Sequence, residues 1–214
     1  MILKFLYDAR QLANPPLDLS DAQLNNIDFT DSSPMYHVSL VGVHLKNASF
    51  RRQVDLTDAV FERTKTDVPT SNDFCIFEQA KMIRTNFNYA KFETRNVQFI
   101  ECNLATSTFH RAHMDGSSFI FCNMAYTNLT NASFAGTNFT GSLLMFANLT
   151  FTILYDSIFD YTDLQSANLF GAVCEGKCTL STVLSLDNTI LSNGTLHPEN
   201  MGNSLYIGEI NLAW

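Results

Sequence analysis

The sequence predicts an all-β solenoid, a chain coiling through short extended stretches joined by tight turns, and two observations carry that prediction. First, a bulky apolar residue recurs every five positions, most plainly in AYTNLTNASFAGTNFTGSLLMFANLT at residues 125–150. Second, a small residue stands two places before each of these bulky ones, as Ala90, Cys102, Ser117, Cys122, Ala132, Ala147 and Ala167 do. A five-residue period is not helical. Side chains two apart on a strand face the same way, so a small and then a large inward residue make one short side, and the remaining residues turn the corner.

Taken in order, the chain opens with residues 1–15, in which 2–12 read as a short amphipathic helix with Ile2, Phe5 and Leu6 on its apolar face, an N-terminal cap for the first coil. Residues 16–61 hold a looser first part of the array, centred on Leu19, Leu24, Phe29, Leu40, Leu45, Phe50, Leu56 and Phe61. Residues 62–74, ERTKTDVPTSNDF, are charged, contain Pro69 and read as an excursion loop. The main array follows at 75–178, with centres from Phe77 to Cys174 and one two-residue insertion between Phe92 and Phe99. Residues 179–214 leave the repeat and read as a C-terminal cap or extension. Solenoid ends need such covers because the last coil exposes unpaired backbone.

Composition agrees with one continuous array. Hydrophobic residues make up 46% of the 214 positions and 18 are Phe, so a solid core is expected and global disorder is not. The net charge of -8 is uneven: residues 46–111 are slightly basic, whereas 112–214 carry Lys177 as their one basic residue. That balance argues against direct nucleic-acid binding. The start, MILKFLYDARQL, has charges at Lys4, Asp8 and Arg10 and no run long enough for a secretory or membrane-spanning segment. Read as a complete chain it points to the cytoplasm; read as a fragment, to an extracellular or membrane-linked protein. Five cysteines, an odd number, do not make a disulfide framework in a chain this long.

The triplets ANL at 147–149 and 167–169, set in this sustained register, resemble the pentapeptide-repeat family and its A(D/N)LXX consensus, over roughly residues 17–178. That resemblance implies a right-handed quadrilateral parallel β-helix with four pentapeptides per coil, and at ordinary strand spacing about eight coils would form a rod of roughly 40 Å. Twenty residues per coil then place Phe77, Phe99, Phe119, Phe139 and Phe159 in one internal stack. They also place Asn128, Asn148 and Asn168 on one side and Asn103 and Asn123 on another, as side-chain amide ladders. FLYDARQLANPPLDLSDAQL and LSLDNTILSNGTL are similar to segments flanking repeat arrays in long multidomain eukaryotic pentapeptide proteins, where the array is a module beside membrane or ligand-binding parts.

The candidate site lies in the uncharged stretch between Gly116 and Tyr155. Ile120, Phe121, Tyr126, Leu143, Met145, Phe146 and, one coil later, Tyr161 occupy outward positions on adjacent sides, an apolar patch of the kind that marks a partner surface or a self-association surface. A second candidate is acidic: Asp115, Asp156 and Glu175 on one side, with Asp160 and Asp163 following. The family includes DNA mimics that protect gyrase from quinolones. Here the uncharged middle interrupts the column and no leucine-rich C-terminal helix is present, so a solvated face is the simpler reading.

Cys75, Cys102 and Cys122 take the small inward position as buried thiols, while Cys174 and Cys178 could pair at the C-terminal end. His110 and His113 lie near Cys102 in sequence, but no CxxC accompanies them, so no metal or other cofactor is expected. Six Asn-X-Ser/Thr sites occur, five generated by the repeat itself; Asn193, outside the array, is the informative one. No phosphate-binding glycine loop, nucleophile elbow or HExxH motif is present, and no catalysis is expected. The expected function is a non-enzymatic scaffold that engages a protein or a second copy of itself, with mimicry of DNA as the alternative.

Overall fold

The computed structural model describes residues 17–29, 35–45, 48–52, 54–66, 75–92, 97–178 and 180–198. The helix expected within 1–15 and the last part of the expected C-terminal cap lie outside them. The chain makes four-sided coils whose sides stack in parallel register, one coil upon the next. Regular strands are short: β1 (Ser49–Arg51), β2 (Lys65–Thr66), β3 (Cys75–Glu78), β4 (Lys91–Phe92), β5 (Val97–Ile100) and β6 (Ser118–Ile120). β1, β3, β5 and β6 form one parallel sheet and β2 pairs with β4. Elsewhere each side is a single parallel bridge, so Asn103, Asn123, Leu143 and Asp163 follow one another up one side, and Thr108, Asn128, Asn148 and Asn168 up the next.

We number the sides in chain order, the first being the one that carries β1, β3, β5 and β6. Its centres form a column in which Phe29, Phe50, Phe77, Phe99, Phe119, Phe139 and Phe159 stack nearly parallel, with ring centroids 4.6 to 5.4 Å apart. The expected stack is therefore present and extends by two rings towards the N-terminus. Phe61, Phe87 and Phe109 stack on the third side. They meet the first column edge-on across the interior, at 5.7 Å for Phe87 against Phe99 and for Phe109 against Phe119. Met35, which the five-residue register skips, is buried and supplies a further centre.

Each corner is a four-residue turn. The N–H of the small residue donates to the carbonyl of the centre three places earlier, as Ala147 does to Leu144 at 3.0 Å and Ser117 to Met114 at 3.1 Å. The small residue thus closes the turn and fills the interior at once, which is why the sequence keeps it small. At most corners its hydroxyl or thiol, when present, is satisfied by a carbonyl of its own or the preceding coil, as Thr127 donates to Met124, Ser142 to Phe119 and Cys122 to Phe99, whereas the buried Ser117 hydroxyl has no partner. The residue before it lies in the left-handed region, with φ near +55 to +70 at corner after corner. Glycine meets that demand at Gly116, Gly136, Gly141 and Gly171, and most other corners hold residues that bear a Cβ.

Three sequence readings are corrected. Residues 62–66 do not leave the array: Thr64 is buried, its hydroxyl bonded to the Phe61 carbonyl at 2.7 Å, and β2 pairs with β4. Charged residues misled because they sit at outward positions; residues 67–74 lie outside the description. The repeat also continues past residue 179, for Ser185 and Ile190 bridge to Asp163 and Asn168, and Leu186 and Leu191 are buried. The chain then reverses through an antiparallel bridge between Ile190 and Leu196. Last, the asparagines before the centres do not form amide ladders. Their side-chain oxygens accept the corner N–H two residues on, as Asn123 does from Ala125, Asn128 from Thr130 and Asn168 from Phe170, each about 3 Å away.

Candidate functional site

The second side and its two edges gather the apolar residues singled out in the sequence. Ile120, Phe121 and Tyr161 line the edge where the first side turns into the second, Leu143 sits on the flat of the second side, and Tyr126, Met145 and Phe146 line the edge leading to the third. Phe121, Tyr126 and Tyr161 are the most exposed, at 63%, 59% and 65%; Ile120 and Met145 are half-buried. Tyr126 and Phe146, one coil apart, stack at 4.8 Å with their planes 3° apart. On the other edge the ring of Phe121 lies over Gly141, where a methyl group would collide with it. The result is a shallow apolar strip with aromatic rails.

Phe121, Tyr126, Phe146 and Tyr161 all occupy left-handed corners, with φ between +53 and +60. A bulky residue there costs roughly 1 kcal/mol relative to glycine. The pairs that lie against one another offset part of that cost, and the outer ring faces remain in solvent.

The structure adds apolar residues that sequence reasoning passed over. Phe151, Ile153, Tyr155 and Ile158 are exposed on the fourth and first sides and on the two edges of the fourth, and Phe170 lies edge-on to Phe151 at 5.7 Å. With Leu143, Phe146 and Tyr161 they form a belt around the rod within a single coil. The signal was available: Ile153 and Ile158 stand directly before a centre, where the preceding coil has Ser133 and Asn138.

Towards the N-terminus the same second side is charged but neutralised. Lys81 meets Asp55 at 2.9 Å, and Arg84 makes two 2.7 Å bonds to Asp58. Hydrogen bonds from the Arg84 guanidinium hold the Asp58 carboxyl below its ordinary range. Burial pushes Asp55 upwards, but bonds from Thr57 and Lys81 outweigh it and leave that carboxyl low as well.

The acidic candidates do not share one surface. Asp115, Asp156 and Glu175 lie on the edge between the fourth and first sides, Asp160 on the next edge and Asp163 on the second side. Four of them accept hydrogen bonds, three from the next coil and one within its own corner: Asp115 from Ser133 and Ala135, Asp156 from Lys177, Asp160 from Thr182, and Asp163 from Gln165. Cys174 and Cys178 are joined in a disulfide, while Cys75, Cys102 and Cys122 are buried free thiols. Burial pushes the Cys75 and Cys122 thiols upwards, away from reactivity. Among the described residues no group of three His, Cys, Asp or Glu side chains could hold a metal ion. His110 bonds to Thr130 at 2.7 Å, and His113 stands on the next side. No helix among the described residues is long and apolar enough to cross a membrane.

Residues 93–169 match the family described as the pentapeptide repeat region. Of the solved structures, the chain is similar to HetL, a pentapeptide repeat protein involved in heterocyst differentiation regulation in the cyanobacterium Nostoc sp. strain PCC 7120. Identity is 17%, with 88% of this chain and 97% of that one covered and a TM-score of 0.46. A pentapeptide repeat protein of the Arabidopsis thaliana thylakoid lumen is 22% identical over 45% of this chain and 59% of its own, TM-score 0.33. QnrB1, a plasmid-mediated fluoroquinolone resistance protein, is 13% identical over 83% and 92%, TM-score 0.36. No curated protein sequence matches the chain.

Proposed function

Since this chain carries a pentapeptide-repeat region, we propose that it is a non-enzymatic scaffold whose second side, from Phe121 to Tyr161, docks a protein surface, with a second copy of the chain the first partner to test. The observation that carries this reading is the set of aromatic side chains held in left-handed corners and left exposed. Asn131 and Gly136 serve at comparable corners at lower conformational cost, so turn formation does not account for phenylalanine and tyrosine there. Burial against a partner does, since aromatic anchors dominate the energetics of such interfaces. The acidic residues give less support to mimicry of DNA, because they are spread over two edges and a side and most of them accept hydrogen bonds from their own or the next coil.

The test is sedimentation velocity on the chain beside Phe146→Asp. Aspartate already occupies this corner position at Asp21, Asp58 and Asp156, so the variant should fold. A single buried charge in an apolar interface should weaken association at least about a hundredfold. Association that persists in the variant would remove the second side from consideration.

A further inference from the structure

On the side opposite the apolar strip, the N-terminal coils line up basic residues. Backbone bridges set His44 beside Lys65, Lys65 beside Lys91 and Lys91 beside His113, so four successive outward positions of the fourth side are basic. Arg63 and Arg111 flank them from the edge between the third and fourth sides, with Tyr89 in the coil between. Lys65, Lys91, Arg111 and His113 are exposed and make no ion pair or side-chain hydrogen bond among the described residues. Arg63 reaches its neighbour Glu62 at 3.6 Å.

The same coils neutralise cations elsewhere: Lys81 with Asp55, Arg84 with Asp58, and Arg51 with Glu78 at 3.4 Å. Like charges in direct register across a sheet repel one another. Lys65 and Lys91 are in that register, in a chain whose net charge is -8. Among the described residues Lys65, Lys91 and His113 therefore lack the counter-charge that the same coils supply to Lys81, Arg84 and Arg51.

We propose that this stripe binds a short acidic segment of a partner protein, lying extended along the rod. The length of the stripe selects the occupant. Its three coil steps span about 15 Å, the reach of about five extended residues. Beyond His113 the fourth side continues as Ser133, Ile153 and Val173, with Asp156 and Glu175 on the following edge. A longer polyanion, nucleic acid included, would run onto neutral and then acidic surface, whereas a segment with a few carboxylates ends where the cations end. This inference is independent of the apolar strip, which lies on the other side of the rod.

The experiment is fluorescence anisotropy of the full chain with a fluorescein-labelled peptide of six glutamates at low ionic strength. Saturable binding that weakens with added salt is expected. It should fall about tenfold or more in Lys65→Glu/Lys91→Glu and fall less in Lys65→Ala/Lys91→Ala. Far-UV circular dichroism confirms that each variant folds. The proposal is overturned if the peptide binds no better than a neutral one, if neither lysine variant changes binding, or if a labelled six-nucleotide single strand binds more tightly than the peptide.

Discussion

Phe119 is the most informative side chain to remove. It is fully buried, stacked on Phe99 at 4.6 Å and Phe139 at 5.4 Å, and met edge-on by Phe109 at 5.7 Å and Phe134 at 5.9 Å. Truncation of a buried phenylalanine to alanine costs roughly 3 to 5 kcal/mol, and a site walled by backbone on every side has little room to collapse, so Phe119→Ala should lie near the upper end. Phe119→Leu separates volume from ring stacking. Leucine is the centre at Leu104, Leu129 and Leu144, so its shape suits the interior, and the residual loss should be about 1 to 2 kcal/mol from the two stacked pairs. Urea titration followed by far-UV circular dichroism measures both, provided the transition slope is unchanged. A slope that falls would mean that the array has split into separately unfolding halves. The reasoning is refuted if Phe119→Ala costs less than about 2 kcal/mol, or if the leucine and alanine variants lose equal stability.

Other outcomes follow from the same geometry. Gly136→Ala meets open space and should lose only the left-handed penalty of about 1 kcal/mol, whereas Gly141→Ala must also displace the Phe121 ring and should lose more, as thermal melts will show. Loss of that ring's seat should also weaken any association that Phe146→Asp weakens. A thiol reagent should find no rapidly reacting cysteine in the native chain and three after denaturation without reductant, because Cys75, Cys102 and Cys122 are buried and Cys174 and Cys178 are bonded. Asp55 and Asp58 have folded values held below the ordinary carboxylate value of about 3.9, so their contribution is complete above that pH and is lost as pH falls through the lower folded values. Melting temperature should therefore drop below about pH 4, and less steeply in Asp58→Asn.

The interior was legible because it repeats. Small and large inward residues recur without exception through the main array, and the Phe77 to Phe159 stack could be read from the five-residue register and an assumed four sides. The apolar strip was legible for the same reason, since outward positions are fixed once inward ones are. What escaped was the chemistry of corners and ends. Charge at Glu62, Arg63 and Lys65 was read as departure from the array, although an outward position accepts any charge. The asparagines were read as facing their vertical neighbours, whereas the corner N–H groups of their own coil are the nearer donors. The belt from Phe151 to Ile158 lies in a regular coil and was passed over although its signal was present, whereas the stripe of cations needs vertical register between coils of unequal length, which a linear count of five does not carry across an insertion.

Unequal coil length has its own consequence. Phe50, Phe77, Phe99 and Phe119 remain direct partners although successive pairs are 27, 22 and 20 residues apart. Six of the seven extra residues in the first interval and both of those in the second fall between the fourth side of one coil and the first side of the next, the seventh lying between Phe50 and Leu56, and the column on either side keeps its spacing. That edge behaves like a seam along which sequence can be let in or taken out while the fabric on both sides stays aligned. A foreign peptide inserted there would be displayed beside the cation stripe, at a fixed height along the rod, without a change to any inward residue.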